Sequence, residues 1–171
     1  AVPPAAIEGP ITAEQPPSRN AIYSASALNL AAHDYTEEEF FIAGTGNVYS
    51  QPDLATGTVE SSGHPFKTRL VVRRPAPQAF NGIVVVEWIN VTGGPDKDID
   101  WWQSGEHLMR SGYAYVAVSA QQMGIDTMAD WGSARYGELD MTASGTVDND
   151  AVSYDAFSAV GRAIFRRGEE S

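Results

Sequence analysis

Apolar residues concentrate in two short runs in the second half of the chain. Residues 83–89 read IVVVEWI and residues 113–119 read YAYVAVS, so both runs are β-branched or aromatic along nearly their whole length. Continuous apolar runs of this kind are typical of strands that are covered on both faces, as in a parallel sheet. The pattern therefore predicts an α/β fold with these two segments as parallel strands.

The segment between the two runs carries a helical pattern. Within residues 100–110, Trp101 and Leu108 repeat at helical spacing. Asp100 begins a capping-box pattern, and Gly112 supplies a stop signal shortly after the last apolar position. Strand, helix and strand together predict a right-handed crossover unit.

A second helix is predicted over residues 150–167. Val152, Val160 and Ile164 fall on one of its faces. In an α/β fold a helix of this kind normally feeds another parallel strand, yet no strand pattern follows it here. The expectation is a sheet that is completed by a missing C-terminal part.

The first half of the chain predicts shorter elements. Residues 1–17 hold five of the ten prolines and are expected to form an N-terminal arm with no regular hydrogen-bonded element, ahead of a single domain over residues 18–171. A short strand at residues 40–42 is expected to end in a turn at residues 44–47 (GTGN), and residues 66–74 predict a further strand.

Composition and charge narrow the class of protein. The chain has 171 residues, a formal net charge of −11 and no cysteine. The acidic balance argues against nucleic acid as a partner, and the absence of cysteine excludes disulfides, cysteine-ligated zinc and thiol catalysis. No window is apolar for long enough to span a membrane. The start at Ala1 with a Pro/Ala-rich stretch favours a secreted or periplasmic protein whose signal peptide has been removed.

Motifs for catalysis or for cofactor binding are mostly missing. The sequence contains no G-x-S-x-G, no P-loop and no HExxH, and no cofactor is indicated. The three histidines, His33, His64 and His107, are scattered, and each is more consistent with a solvated or structurally satisfied side chain than with a general base.

Three aspartates alternate before the first predicted helix. Asp96, Asp98 and Asp100 resemble the start of a calcium-binding loop, but the residues around them do not continue that pattern. We interpret them as residues that favour the start of the helix and are solvated, so no metal site is predicted.

One loop remains as a candidate site. Asn90, Val91 and Thr92, followed by two glycines, leave the carboxyl end of the first parallel strand, where ligands bind in such sheets. The two glycines permit a turn whose N–H groups point into a cleft, as an oxyanion hole requires. Spacing alone favours an ordinary glycine turn over this alternative.

Several segments resemble one family when they are taken in order. EEEFFIAGTGNVY, FKTRLVVRRP, FNGIVVVEWINVTGG, GYAYVAVSAQ, ARYGEL and SYDAFSAVGRA are similar to bacterial α/β-hydrolase domain proteins, over about residues 9–167. The resemblance implies serine hydrolase chemistry on carboxylic esters and a sheet in which strand three lies between strands four and five. It also implies that the loop of Asn90, Val91 and Thr92 supplies one oxyanion-hole N–H.

The chain departs from that family in lacking the nucleophile turn. The Ser–Asp/Glu–His triad is expected beyond strand four, and neither Ser119 nor Ser153 has the glycines of that turn. We therefore expect the N-terminal half of a serine hydrolase, inactive alone and partnered by a complementary C-terminal hydrolase chain that carries the nucleophile. The alternatives are a non-enzymatic binding module that uses the sheet edge and, less favoured because few strands are available, an independent doubly wound domain that binds a small ligand.

Overall fold

The fold is built on one mixed sheet. A computed structural model describes residues 4–11 and 22–169. In these residues five strands lie in the order β1-β2-β3-β5-β4. The strands are β1 (Ala5–Glu8), β2 (Tyr35–Tyr49), β3 (Val59–Pro75), β4 (Val84–Trp88) and β5 (Ala114–Val118).

Four α-helices accompany the sheet in the described part of the chain. They are α1 (Ile99–Arg110), α2 (Gln122–Trp131), α3 (Ser133–Tyr136) and α4 (Ser153–Glu169), with short 3-10 helices at Leu30–His33 and Pro77–Ala79. Helices α1 and α4 confirm the two predicted helices, whereas α2 and α3 were not predicted. No helix in residues 4–11 and 22–169 combines the length and the apolar character that crossing a membrane requires.

The predicted strand–helix–strand unit is confirmed. Strands β4 and β5 pair in parallel, from Val84 opposite Ala114 to Trp88 opposite Val118, and α1 connects them. The capping box at Asp100 is not formed, because Asp98 is the N-cap residue and the Asp100 N–H donates to the Glu87 carboxylate.

The expectation of a mostly parallel sheet is wrong for the described strands. Three of the four pairings are antiparallel: β1 with β2, β2 with β3, and β3 with β5. The reason is that β2 and β3 form one long hairpin, and β5 enters the sheet beside β3 in the opposite direction. Strand β4 lies at the edge of the described sheet, so its predicted central position is not found there.

The predicted turn at residues 44–47 is also wrong, because β2 continues through it. Gly44 pairs with Phe66 and Gly46 with His64 across the hairpin. A Cβ on Gly44 would come within 3.1 Å of the Phe66 ring, and one on Gly46 within 2.9 Å of Val152. These glycines therefore serve close packing within a strand instead of a turn.

The N-terminal arm contains a strand, contrary to the prediction. Strand β1 pairs with residues 41–44 of β2, and Ile7 packs against the core. The pairing is possible because Pro4 and Pro10 lie outside the strand and do not interrupt its hydrogen bonds. Residues 12–17 of the predicted arm lie outside the described residues.

The sheet has two differently covered faces. On one face, which we call the α4 face, side chains such as Ile42, Leu70 and Val118 pack in a cluster with residues of α2 and α4. On the other, the α1 face, Val71 and Tyr115 pack with Trp101 and Leu108 of α1. The α1 face also buries a row of charged side chains, and ion pairs in this row hold the segment after β4 against the sheet.

Adjacent tryptophans on α1 provide a matched test of this packing. Trp101 is 1% exposed and Trp102 is 57% exposed. The Trp101 indole donates a hydrogen bond to Ser26 (2.9 Å) and lies 4.7 Å from the Arg73 guanidinium. We expect Trp101→Ala to lower the free energy of unfolding in urea by about 3–5 kcal/mol, because it opens a cavity in the core. Trp102→Ala changes it by less than about 1 kcal/mol; equal losses would contradict this packing.

Candidate active site

The loop that follows β4 is closed on itself by Lys97. The Asn90 N–H donates to the Lys97 carbonyl (3.2 Å), and the Lys97 N–H donates to the Asn90 carbonyl (2.8 Å). The Lys97 ammonium donates to the Thr92 carbonyl (2.7 Å). Residues 90–97 thus form a compact loop at the carboxyl end of a parallel strand.

Inside the loop, two of the three predicted N–H groups are already used. The Thr92 N–H donates to the Asn90 side-chain oxygen (2.9 Å), and the Asn90 N–H is bound to Lys97. The N–H groups of Val91 and Gly93 form no hydrogen bond with any residue that the structure describes. Of the candidate residues Asn90, Val91 and Thr92, only Val91 therefore has its backbone N–H available.

The two glycines of the loop have the backbone conformation that favours glycine. Gly93 has φ +86° and Gly94 has φ +106°, in the region where a Cβ is costly. The Gly94 N–H donates to the Val91 carbonyl (2.8 Å) and closes the tip of the loop.

The interpretation of Asp96 and Asp98 as solvated residues is wrong. Both are buried on the α1 face, where Asp96 pairs with Arg69 (3.1 Å) and Asp98 pairs with Arg73. Asp100 is exposed, as predicted. The cause is the alternation of the backbone, which directs residues 96 and 98 to the sheet and Lys97 back to the loop.

The same arginines are paired with β2. Arg69 lies 3.4 Å from Glu39, and Arg73 donates to Glu37 (2.6 Å). Glu39 also accepts from the Arg135 guanidinium (2.6 Å). We call Glu37, Glu39, Arg69, Arg73, Asp96 and Asp98 the charged row. It joins β2, β3 and the loop on one buried face.

Both serines that were considered as nucleophiles are held inside the fold. The Ser119 hydroxyl donates to Asp96 and accepts from the Arg69 guanidinium (3.0 Å). The Ser153 hydroxyl donates to the Ala120 carbonyl. Both side chains are fully buried.

The histidines lie on three separate elements. His33 is exposed in a 3-10 helix, His107 is exposed on α1, and the ring of His64 contacts the Ser61 hydroxyl (2.7 Å) in the hairpin. No histidine bonds to a carboxylate within the described residues, so no Ser–His–acid arrangement is present among them.

Metal ligands were not expected, and the described residues contain no group of three or more side chains that could hold an ion. Asp96 and Asp98 each have one buried oxygen without a hydrogen bond, but their other oxygens are committed to arginine. Burial raises the pKa of Asp96, and the Arg69 guanidinium opposes that rise.

One edge of the sheet is open directly before the loop. In a parallel pair each strand directs the N–H and C=O of alternate residues to its neighbour. The Ile83 carbonyl and the Ile89 N–H bond to β5. The backbone groups of Val84, Val86 and Trp88 therefore face the other side, where no described strand lies.

Glu87 is a buried acid that links β4 to the start of α1. Its carboxylate accepts from the Tyr115 hydroxyl and from the Asp100 N–H (3.2 Å). Burial raises the pKa of Glu87, and the two hydrogen bonds oppose that rise without cancelling it.

This pKa predicts the sign of a pH effect on stability. Between pH 4.5 and the raised pKa of folded Glu87, the unfolded chain has largely lost the Glu87 proton while the folded chain still holds it. The folded state then binds more protons, so the free energy of unfolding falls as pH rises through this window. We expect Glu87→Gln to remove that part of the fall, measured by urea unfolding between pH 4 and pH 8. The exposed Glu106→Gln on α1 is the control and keeps the wild-type slope; the same slope in both variants would be evidence against the assignment.

The chain was compared with protein-family models, with curated proteins and with solved structures. A family model described as an alpha/beta hydrolase domain matches residues 7–171. Neither the curated proteins nor the solved structures contain a match for the chain. The match spans nearly the whole sequence, and the mixed sheet with its crossover helix fits an α/β fold. The chain therefore belongs to the alpha/beta hydrolase domain family.

Proposed function

We propose that this chain forms one part of a serine hydrolase acting on carboxylic esters. In this proposal residues 90–93 supply the oxyanion-binding loop. The Ser–Asp/Glu–His triad comes from a complementary hydrolase segment, in the same polypeptide or in a second chain, whose first strand pairs with β4. The proposal includes that the protein is secreted or periplasmic.

The observation that carries the proposal is the open edge of β4 next to a loop with a free N–H. The family resemblance implies a sheet in which strand three lies between strands four and five. Strand β4 takes the place of strand three, since β5 pairs with it in parallel on one side. Its other side is open in the described residues and has the backbone groups of Val84, Val86 and Trp88 available.

Apolar side chains beside this edge support the same occupant. Ile83 is 51% exposed. Tyr154 of α4 is 69% exposed, although its ring lies 5.4 Å from that of Trp88. An unpaired strand edge beside exposed apolar side chains favours association with another strand. A parallel strand with its own covering helix would bury both.

The loop position supports the catalytic part of the proposal. Carboxyl ends of parallel strands meet at the same edge of the sheet, so a turn following the added strand would lie beside residues 90–93. In this family the nucleophile occupies that turn. The Val91 N–H, which is unpaired in the described residues, would then face the developing oxyanion.

The chemistry follows from these positions. The serine hydroxyl of the complementary segment adds to the ester carbonyl carbon as its histidine removes the proton. The carbonyl oxygen becomes an oxyanion that accepts from the Val91 N–H. The histidine gives the proton to the leaving alcohol, and an acyl-serine remains. Water then hydrolyses the acyl-serine, which releases the acid and regenerates the serine. The net charge of −11 favours neutral esters over anionic ones.

Strand pairing is tested by replacing a residue whose N–H faces the open edge. Val86→Pro removes that donor and leaves the ladder to β5 intact, because edge strands tolerate proline on their solvent side. Val86→Ala loses similar side-chain packing and keeps the N–H. We expect V86P to weaken binding of the complementary segment at least about tenfold relative to V86A in a titration, because a ladder bond is lost. Equal affinities, with both variants folded by circular dichroism, would contradict pairing at β4.

Ester hydrolysis tests the reaction itself. The chain of residues 1–171 is expected to leave a p-nitrophenyl ester unhydrolysed, and to gain activity with the segment that carries G-x-S-x-G. In that assembly Val91→Pro removes the N–H and is expected to lower kcat by about 10²–10³, whereas Val91→Ala keeps it and loses little. Hydrolysis by residues 1–171 alone would refute the external nucleophile. A tight complex without hydrolysis would favour the non-enzymatic binding module.

A further inference from the structure

We propose that Lys97 is a positioning residue that sets the direction of two backbone donors, the N–H groups of Val91 and Gly93. The catalytic use of the donors rests on the proposed function, whereas their orientation by Lys97 does not.

The direction of each donor follows from the planarity of its peptide. In a trans peptide the C=O of one residue and the N–H of the next point to opposite sides. The Asn90 carbonyl accepts from the Lys97 N–H (2.8 Å), so the Val91 N–H points away from that contact. The Thr92 carbonyl accepts from the Lys97 ammonium (2.7 Å), so the Gly93 N–H points away from the ammonium in the same manner.

At the tip of the loop, over residues 91–94, these two donors are also the ones that remain unbonded. The peptides between and after them are closed inside the loop, since the Thr92 N–H donates to the Asn90 side chain and the Gly94 N–H to Val91. Within residues 91–94, Val91 and Gly93 keep N–H groups that bond to no described residue. Lys97 therefore holds both peptides of the loop tip whose donors are free. An oxyanion hole is built from preorganised backbone donors of this kind.

Lys97 itself is held in place on both sides. Its neighbours Asp96 and Asp98 are buried and paired with Arg69 and Arg73 of β3. The backbone at residue 97 therefore has little freedom to move away from the loop. Lys97 therefore connects a fixed segment of backbone to two peptides of the loop.

Two glycines, Gly93 and Gly124, lie close to Lys97 and to its neighbour Asp96. A Cβ built on Gly93 would lie 3.5 Å from the Lys97 ammonium nitrogen. A Cβ on Gly124 of α2 would lie 1.9 Å from an Asp96 carboxylate oxygen and 3.1 Å from Val91. The absence of a side chain at Gly124 lets α2 lie directly against Asp96 and Val91.

The test uses the chain of residues 1–171 and compares Lys97→Met with Lys97→Arg. Methionine keeps an unbranched side chain of nearly the same length but removes its donors, whereas arginine can still donate to the Thr92 carbonyl. The readout is the ¹⁵N–¹H NMR spectrum with amide order parameters. We expect K97M to shift the Gly93 amide and lower its order parameter. The Val91 amide changes less, because its peptide is held by the Lys97 backbone, and K97R restores the wild-type Gly93 signal.

A second readout separates this inference from the proposed function. In the assembled hydrolase, K97M is expected to lower kcat at least about tenfold with KM changed less than about twofold, since only binding of the oxyanion is affected. K97R is expected to recover most of the loss. An unchanged Gly93 amide in K97M overturns the positioning role whatever the activity. A shifted Gly93 amide with no hydrolysis in the wild type supports positioning and rejects the hydrolase proposal.

Discussion

Two arginines buried on the α1 face impose the main constraint on this fold. Arg69 and Arg73 are each 1% exposed, and a buried guanidinium without a partner is too costly to retain. Removal of one partner from such a pair typically costs about 3–5 kcal/mol. The carboxylates that satisfy them come from β2 and from the loop after β4. Segments far apart in sequence must therefore be assembled together before all of these charges are satisfied.

This constraint gives the loop after β4 an unusual kind of support. Two carboxylates from the loop segment reach β3 and form ion pairs with its arginines. The distance and direction of an ion pair are more strictly defined than those of an apolar contact. Residues 90–97 consequently project from the sheet as a fixed extension of it, which is the condition for backbone donors that do not reorganise during a reaction.

The sequence predicted the elements whose signals are local. The unit of β4, α1 and β5 was found because apolar runs and helical spacing identify each element by itself. The strand through Gly44 and Gly46 was missed, since its glycines are explained by Phe66 and Val152, which are distant in sequence. Strand β1 was missed because proline content concealed a short alternating segment. The charged row is visible in the sequence as like charges at spacings of two or four in three segments, acidic in β2, basic in β3 and acidic in the loop after β4. The inward direction of Asp96 and Asp98, however, depends on arginines in another strand.

The candidate loop was located from the sequence, but its available N–H groups were not, because the choice among them depends on contacts with Lys97.

The two outer edges of the described sheet differ in how far they are covered. The outer edge of β2 pairs with β1. Beyond β1, the Ile11 N–H donates to the Glu39 carbonyl, and the Asn47 N–H donates to the Asp155 carboxylate. Strand β1 is short and lies between prolines. Among the described strands, the β1 edge is therefore blunted and the β4 edge is not, so association by strand pairing is directed to one side of the molecule.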